Sequence, residues 1–179
     1  MAQTQKHLEA LQIALQTEEE GYKLYRSAAK LKANELTTAI FDQLAKDELM
    51  HMDLIKRFYA HLKDAGSWGE LSEKDKDYQS AKMRMKTIFS KALDDAKKGS
   101  LNFTESEKDA YERAVQFEKD GVSLYNRLHQ ESDDVLAKKF YFFLREMEQE
   151  HLELLDNTLQ YLQNPDNWYL LQEGWTLED

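Results

Sequence analysis

The sequence predicts an all-α protein, a four-helix bundle made of two repeated αα-hairpins joined by a long crossover that contains a short helix. Three observations carry this reading. The 179 residues include one proline and six glycines, too few turn formers for a sandwich, a barrel or a doubly wound sheet. Sliding the chain by 100 residues lays 10–62 on 110–162 without a gap, and Glu18/Glu118, Gly21/Gly121, Tyr25/Tyr125, Glu48/Glu148 and His51/His151 are among the identities. Finally, four stretches repeat at alternating steps of three and four, the spacing of an amphipathic helix seam.

The first seam reads Leu8, Leu11, Leu15, Glu18, Tyr22, Tyr25 and Ala29. Polar Lys32-Ala33-Asn34-Glu35 turns the chain into a second seam of Phe41, Leu44, Glu48, His51, Ile55, Phe58 and Leu62. Ala65-Gly66-Ser67-Trp68-Gly69 ends that helix and closes a first hairpin over residues 1–65. The crossover takes residues 66–104, with a helical pattern from Asp77 to Lys97 that Gly99 stops. Thr104-Glu105-Ser106-Glu107 has the form of a capping box and starts the third helix. Its seam is Tyr111, Ala114, Glu118, Gly121, Tyr125 and Leu128. After Glu131-Ser132-Asp133-Asp134 comes the last seam: Tyr141, Leu144, Glu148, His151, Leu155, Thr158 and Leu162. Asn164-Pro165 ends this second hairpin (105–163), because proline cannot continue a helix. The tail, 164–179, carries Trp168, Tyr169 and Trp175 and is expected to fold back over apolar surface. The whole, 1–179, is long enough to form one domain with a sizeable core. His7, His61 and His129 lie off the ligand pattern and are expected at the surface, while Trp68, Trp168 and Trp175 are expected to pack the bundle ends.

Charge and composition narrow the function. Lys and Arg total 24 against 34 Asp and Glu, a formal net charge of -10, with no long basic run to bind nucleic acid or an anionic membrane. No apolar stretch approaches the ~20 residues of a membrane span. The opening MAQTQKHLEALQIALQTEEE has no uninterrupted apolar core of a secretory signal, so the cytoplasm is the expected compartment. Cysteine is absent, which excludes disulfides, thiolate metal sites, iron–sulfur clusters and cysteine nucleophiles.

Four seam positions nevertheless hold glutamate and two hold histidine. The midpoint of Glu18 and Glu48 is residue 33, and that of Glu118 and Glu148 is residue 133, each inside a turn. Each glutamate pair is therefore level, roughly 22 Å from its turn at ~1.5 Å per residue. An interior carboxylate costs several kcal/mol unless compensated. The seams contain no lysine or arginine, so either protons or bound cations must balance the charge, and two divalent ions would match four glutamates. Glu48 with His51, and Glu148 with His151, stand three residues apart on one helix face. One glutamate from each of two helices, plus Glu-x-x-His from each of the others, is the donor pattern of di-iron carboxylate bundles. Oxygen-rich ligation with one imidazole per ion suits iron or manganese.

Both hairpins, 10–62 and 110–162, resemble the rubrerythrin branch of the ferritin-like di-iron proteins. The resemblance rests on Ala14-Leu15-Gln16-Thr17-Glu18 with Tyr25, Asp47-Glu48-Leu49-Met50-His51, Ala114-Val115-Gln116-Phe117-Glu118 with Tyr125, and Glu148-Gln149-Glu150-His151. It implies a ferritin-like fold and two iron ions, bridged by Glu48 and Glu148 and held terminally by Glu18 with His51 and Glu118 with His151. It also implies reduction of hydrogen peroxide or O2, in the defence of an anaerobe or microaerophile against oxidative stress. Full-length rubrerythrins carry a cysteine-ligated rubredoxin domain; this chain has no cysteine, which implies a separate electron donor such as a rubredoxin-type protein. Where those proteins place an extra glutamate three residues after the first glutamate of the third helix, this chain has Gly121, so the implied site is the plainer symmetric kind.

The neighbours of the donors have two readings each. Gly21 and Gly121 either leave room for O2, peroxide or a bridging oxygen, or let helices approach closely. Tyr25 and Tyr125 either hydrogen-bond a glutamate of the site, where they could also be oxidised by one electron, or are core tyrosines that reach backbone or water. Other functions fit the same donors: a ferroxidase or iron-handling protein, a di-manganese site with catalase-like activity, or a non-catalytic bundle stabilised by metal. A homodimer is the expected assembly.

Overall fold

The protein is described by a computed structural model over residues 2–31, 33–72, 75, 87 and 103–164. It is an all-helical, ferritin-like four-helix bundle, with no strand among the described residues. Helix α1 spans Ala2–Ala28, α2 Glu35–Ala65, α3 Glu105–Glu131 and α4 Val135–Gln163. Helices α1 and α2 pack as one hairpin, α3 and α4 as the other, and α1 lies against α3. The expected crossover helix at 77–97 and its stop at Gly99 lie outside the described residues, as do Pro165, Trp168, Tyr169 and Trp175.

Local chemistry accounts for the helix ends. Asn34 caps α2 by accepting from Thr37 N (2.9 Å), and Asp134 caps α4 by accepting from Leu136 N (2.8 Å) and Ala137 N (3.0 Å). Helix α2 stops at Gly66, whose φ of 71° is left-handed and whose N–H returns to Leu62 O. Thr104 and Glu107 form the expected capping box at the start of α3.

Two apolar clusters fill the bundle. One joins Tyr25 and Ala28 of α1, Leu36–Ala45 of α2, Tyr111–Val115 of α3 and Leu154–Leu162 of α4. The other joins Leu11, Leu54–Leu62, Tyr125 and Ala137–Leu144, with Trp68 among them. The end of α1 thus meets the start of α3, so α3 runs antiparallel to α1 and parallel to α2. Helix α2 finishes at one end of the bundle and α3 begins at the other, which is why the crossover has to be long.

The buried line of α1 differs from the expected seam by a small rotation. It runs through His7, Leu11, Ala14, Glu18, Gly21, Tyr25 and Ala28, while Leu8, Leu15, Tyr22 and Ala29 flank it half-buried. Three positions on that line are the small residues Ala14, Gly21 and Ala28, which a search for large apolar side chains passes over. His7 is consequently buried (8 % exposed), not at the surface, and packs edge-on against Trp68 with ring centroids 5.5 Å apart. His61 is exposed as expected; His129 is half-buried, its Nδ1 bonded to Lys138 O.

Glu107 occupies the position in α3 that His7 occupies in α1, and it does more than cap. Fully buried, its carboxylate accepts from Thr104 N (2.9 Å), Thr104 Oγ1 (2.8 Å), Asn34 N (3.0 Å) and Asn34 Nδ2 (2.7 Å). It ties the second hairpin to the turn of the first. Burial alone would raise its pKa, but the donors from Thr104 and Asn34 outweigh burial and lower it. The stability this gives is complete above the ordinary carboxylate value and is lost as pH falls through the lower folded value. Glu107→Gln is expected to cost about 2 kcal/mol near neutral pH, since bonds to a charged acceptor are each worth ~1.5–3 kcal/mol. The gap between variant and parent should narrow as pH falls below the ordinary carboxylate value, which urea unfolding at neutral and at acid pH checks.

Candidate metal centre

The helices bring all six predicted donors together between the two apolar clusters. Glu18, Glu48, His51, Glu118, Glu148 and His151 are each 3 % exposed or less. One donor atom from each of Glu18, Glu48, His51 and Glu148 lies within 4.8 Å of the others, and the same holds for Glu48, Glu118, Glu148 and His151. Glu48 and Glu148 belong to both groups. Glu48 sends Oε2 toward His51 Nδ1 (3.5 Å) and Oε1 toward His151 Nδ1 (3.8 Å). Glu148 sends Oε1 toward His51 Nδ1 (3.2 Å) and Oε2 toward His151 Nδ1 (3.6 Å). The two remaining glutamates each serve one histidine: Glu18 Oε2 is 2.8 Å from His51 Nδ1, and Glu118 Oε1 is 3.3 Å from His151 Nδ1. The imidazole rings stack with centroids 5.1 Å apart.

Both tyrosines reach across the bundle. Tyr25 in α1 donates its hydroxyl proton to Glu118 Oε1 in α3, and Tyr125 in α3 donates to Glu18 Oε1 in α1. Each half therefore orients a glutamate of the other. Burial and then the charge of the adjacent glutamate push both phenols well above their ordinary value, so they keep their protons.

Burial and the neighbouring carboxylates Glu18 and Glu148 raise Glu48. Burial and then Glu148 raise Glu118 to about 8. Burial opposes charge on His51, yet Glu148, Glu18 and Glu48 raise it; burial likewise opposes charge on His151, and Glu118 and Asp47 raise it. Glu148 is pushed up by burial but held well below the usual range by the imidazoles of His151 and His51 beside it. In this state protons supply the balancing charge.

Their balance is incomplete at the level of hydrogen bonds. Glu48 Oε1 and Oε2, Glu118 Oε2, Glu148 Oε1 and His151 Nδ1 are buried without a hydrogen-bond partner among the described residues. A buried orphan of this kind costs about 1–3 kcal/mol, more when charged. Five converging orphans of oxygen and imidazole type are what a pair of bound cations would satisfy, so the donor set fits metal ions of the iron and manganese class.

One buried polar residue at this level was not singled out by the seam spacing. Asp47 is 1 % exposed, accepts from Gln43 Nε2 (2.9 Å), and places Oδ2 3.6 Å from His151 Nε2. Its counterpart 100 residues on is Met147, so matching the two halves gives no sign of it. Its signal in sequence was a second carboxylate directly before Glu48.

A four-helix bundle that encloses four glutamates and two histidines in this order is a protein of the di-iron carboxylate class by fold and donor set. The rubrerythrin family model matches residues 9–159, and the chain belongs to that family. No curated protein and no solved structure gives a match.

The paired glycines prove unequal. A Cβ on Gly21 would stand 2.8 Å from the Phe117 ring and 3.1 Å from the Glu48 carboxylate. A Cβ on Gly121 would have Glu148 as its nearest neighbour, from 3.5 Å outward, which is ordinary contact. Gly21→Ala is expected to cost about 1–3 kcal/mol through overpacking. Gly121→Ala should be neutral or stabilise by up to ~1 kcal/mol through helix propensity. Thermal unfolding of the two metal-free variants checks the contrast.

Proposed function

We propose that the chain is a single ferritin-like domain acting as a non-haem di-iron oxidoreductase that reduces hydrogen peroxide or O2. The observation that carries this reading is the group of orphaned, buried donor atoms on Glu48, Glu118, Glu148 and His151. Glu48 and Glu148 would hold both ions, Glu18 with His51 one of them, and Glu118 with His151 the other. Two ferrous ions there would supply one electron each, the pair that converts hydrogen peroxide and two protons into two waters.

The protein's own work is to orient, exclude and retain. Tyr125 holds Glu18 Oε1 and leaves Oε2 toward His51, while Tyr25 holds the Glu118 Oε1 that faces His151, so the hydroxyls orient both terminal carboxylates. Phe41, Tyr111 and Leu155 on one side, with Ile55, Phe140 and Leu144 on the other, keep bulk water from the layer. With no cysteine in the chain, electrons would come from a separate donor, such as a rubredoxin-type protein. The chain would work in the cytoplasm as a homodimer; no described helix is long and apolar enough to cross a membrane.

Anaerobic titration should load two Fe(II) per chain. Glu48→Gln is expected to weaken both ions, Glu18→Gln one of them, and Tyr25→Phe to lower affinity by about 10-fold. Adding O2 and peroxide separately to the loaded protein, with a reductant, and following oxidation by absorbance identifies the oxidant. Sustained turnover with either supports the proposal. Iron uptake and release without turnover would instead indicate iron handling. Manganese in the isolated protein with peroxide dismutation would indicate the catalase-like alternative, and bound metal with no turnover a structural site.

A further inference from the structure

We propose that the two halves of the centre are inequivalent toward metal: Asp47 is a positioning residue that prepares the His151 half to take the first ion, and the His51 half fills second. This rests on the reading that the cluster holds two metal ions.

The two imidazoles are presented differently. Asp47 reaches from α2 to α4 and sets Oδ2 3.6 Å from His151 Nε2, while Gln43 Nε2 holds its other oxygen at 2.9 Å. A carboxylate beside Nε2 orients the ring so that Nδ1 faces the glutamates. That atom is one of the buried orphans: 3.3 Å from Glu118 Oε1, it makes no hydrogen bond. His151 Nδ1 therefore has no hydrogen bond to give up to an incoming cation, and Asp47 stands behind its ring.

His51 is engaged on the side it would use. Its Nδ1 stands 2.8 Å from Glu18 Oε2 in a hydrogen bond. An ion entering that half would have to replace this bond before it could take either partner. Nor is the Asp47 device repeated: Met147 and Phe143 occupy the positions 100 residues after Asp47 and Gln43, and neither carries a carboxylate or an amide. Carboxylates behind a ligating histidine raise its basicity and are worth about 10–100-fold in metal affinity. The ligands follow the internal two-fold repeat, whereas the support behind them does not.

The test titrates the metal-free chain anaerobically with Co(II) and reads ligand-field absorption. Two sequential binding constants are expected. His151→Ala should lose the tighter ion and His51→Ala the weaker one. Asp47→Leu should weaken the first constant about 10–100-fold, with a smaller loss in Gln43→Leu, which leaves Asp47 in place without its amide partner. In the one-cobalt protein the exchangeable Nε2 proton of His151 should give a hyperfine-shifted signal. That signal should persist in Asp47→Asn, which can still accept, and vanish into fast solvent exchange in Asp47→Leu; loss of packing alone would not separate these two variants. Two ions of equal affinity, a tight ion surviving His151→Ala, or an unchanged first constant in both Asp47→Leu and Gln43→Leu overturns the proposal alone. A chain that takes up no cobalt overturns the metal reading and the proposal with it.

Discussion

The structure depends on keeping six ionisable side chains in the dry middle of a helical bundle. Every element is in register with that layer. A shift of one residue in any helix would turn a glutamate toward solvent and an apolar side chain toward the cluster, because successive residues are about 100° apart around the axis. The apolar clusters above and below make the layer costly, and the same enclosure makes it effective: charges that cannot be shared with water must be shared among the six donors. Protons do part of this in the metal-free state, as the raised values of Glu48, Glu118 and both histidines indicate. They leave five buried atoms without partners.

Topology and polar linkage support the same layer. The antiparallel course of α1 and α3 lets Tyr25 and Tyr125 cross in opposite directions, each spanning to the partner helix's glutamate. A pair of hairpins docked through apolar contacts alone could slide along their common axis. Two buried directional bonds between α1 and α3 resist that motion at the height of the donors, and Glu107 resists it at one end by joining α3 to the turn before α2. Stability and site geometry are thus set by the same bonds.

Much of this was legible in the sequence. The four helices, both turns, the capping box at Thr104 and the level of the donors follow from spacing, turn residues and the repeat, all local or nearly local signals. The tyrosine bonds were one of two readings. They needed the relative direction of α1 and α3, which the crossover length suggests but does not dictate. His7 was misjudged because Ala14 and Gly21 mark the true centre of the α1 face, and small residues carry little hydrophobic signal. The bonds from Glu107 to Asn34 and the approach of Asp47 to His151 join residues far apart in the chain, and the residue types do not repeat: His7 and Asp134 stand where the other half has Glu107 and Asn34, and Met147 stands where it has Asp47.

The two halves diverge beside the donors and agree at the donors. Each proposed ion position needs its own histidine, its own terminal glutamate and a share of both central carboxylates, so neither half can lose one without unbalancing the layer. The residues behind and beside them face no such demand. Phe117 presses on the Gly21 side, where the first half has Thr17, and Thr17 turns its hydroxyl back to Ile13 O. Glycine at 21 is therefore a packing necessity, with Phe117 and Glu48 occupying the space a methyl would need. At 121 the nearest atoms belong to Glu148 and stand at ordinary contact distance, so the glycine leaves that carboxylate a margin to move. One identical residue, placed by the repeat at equivalent positions, closes one flank of the layer and relaxes the other. Equivalent ligands held by inequivalent surroundings give a centre whose two sides can bind and respond differently while its total charge stays the same.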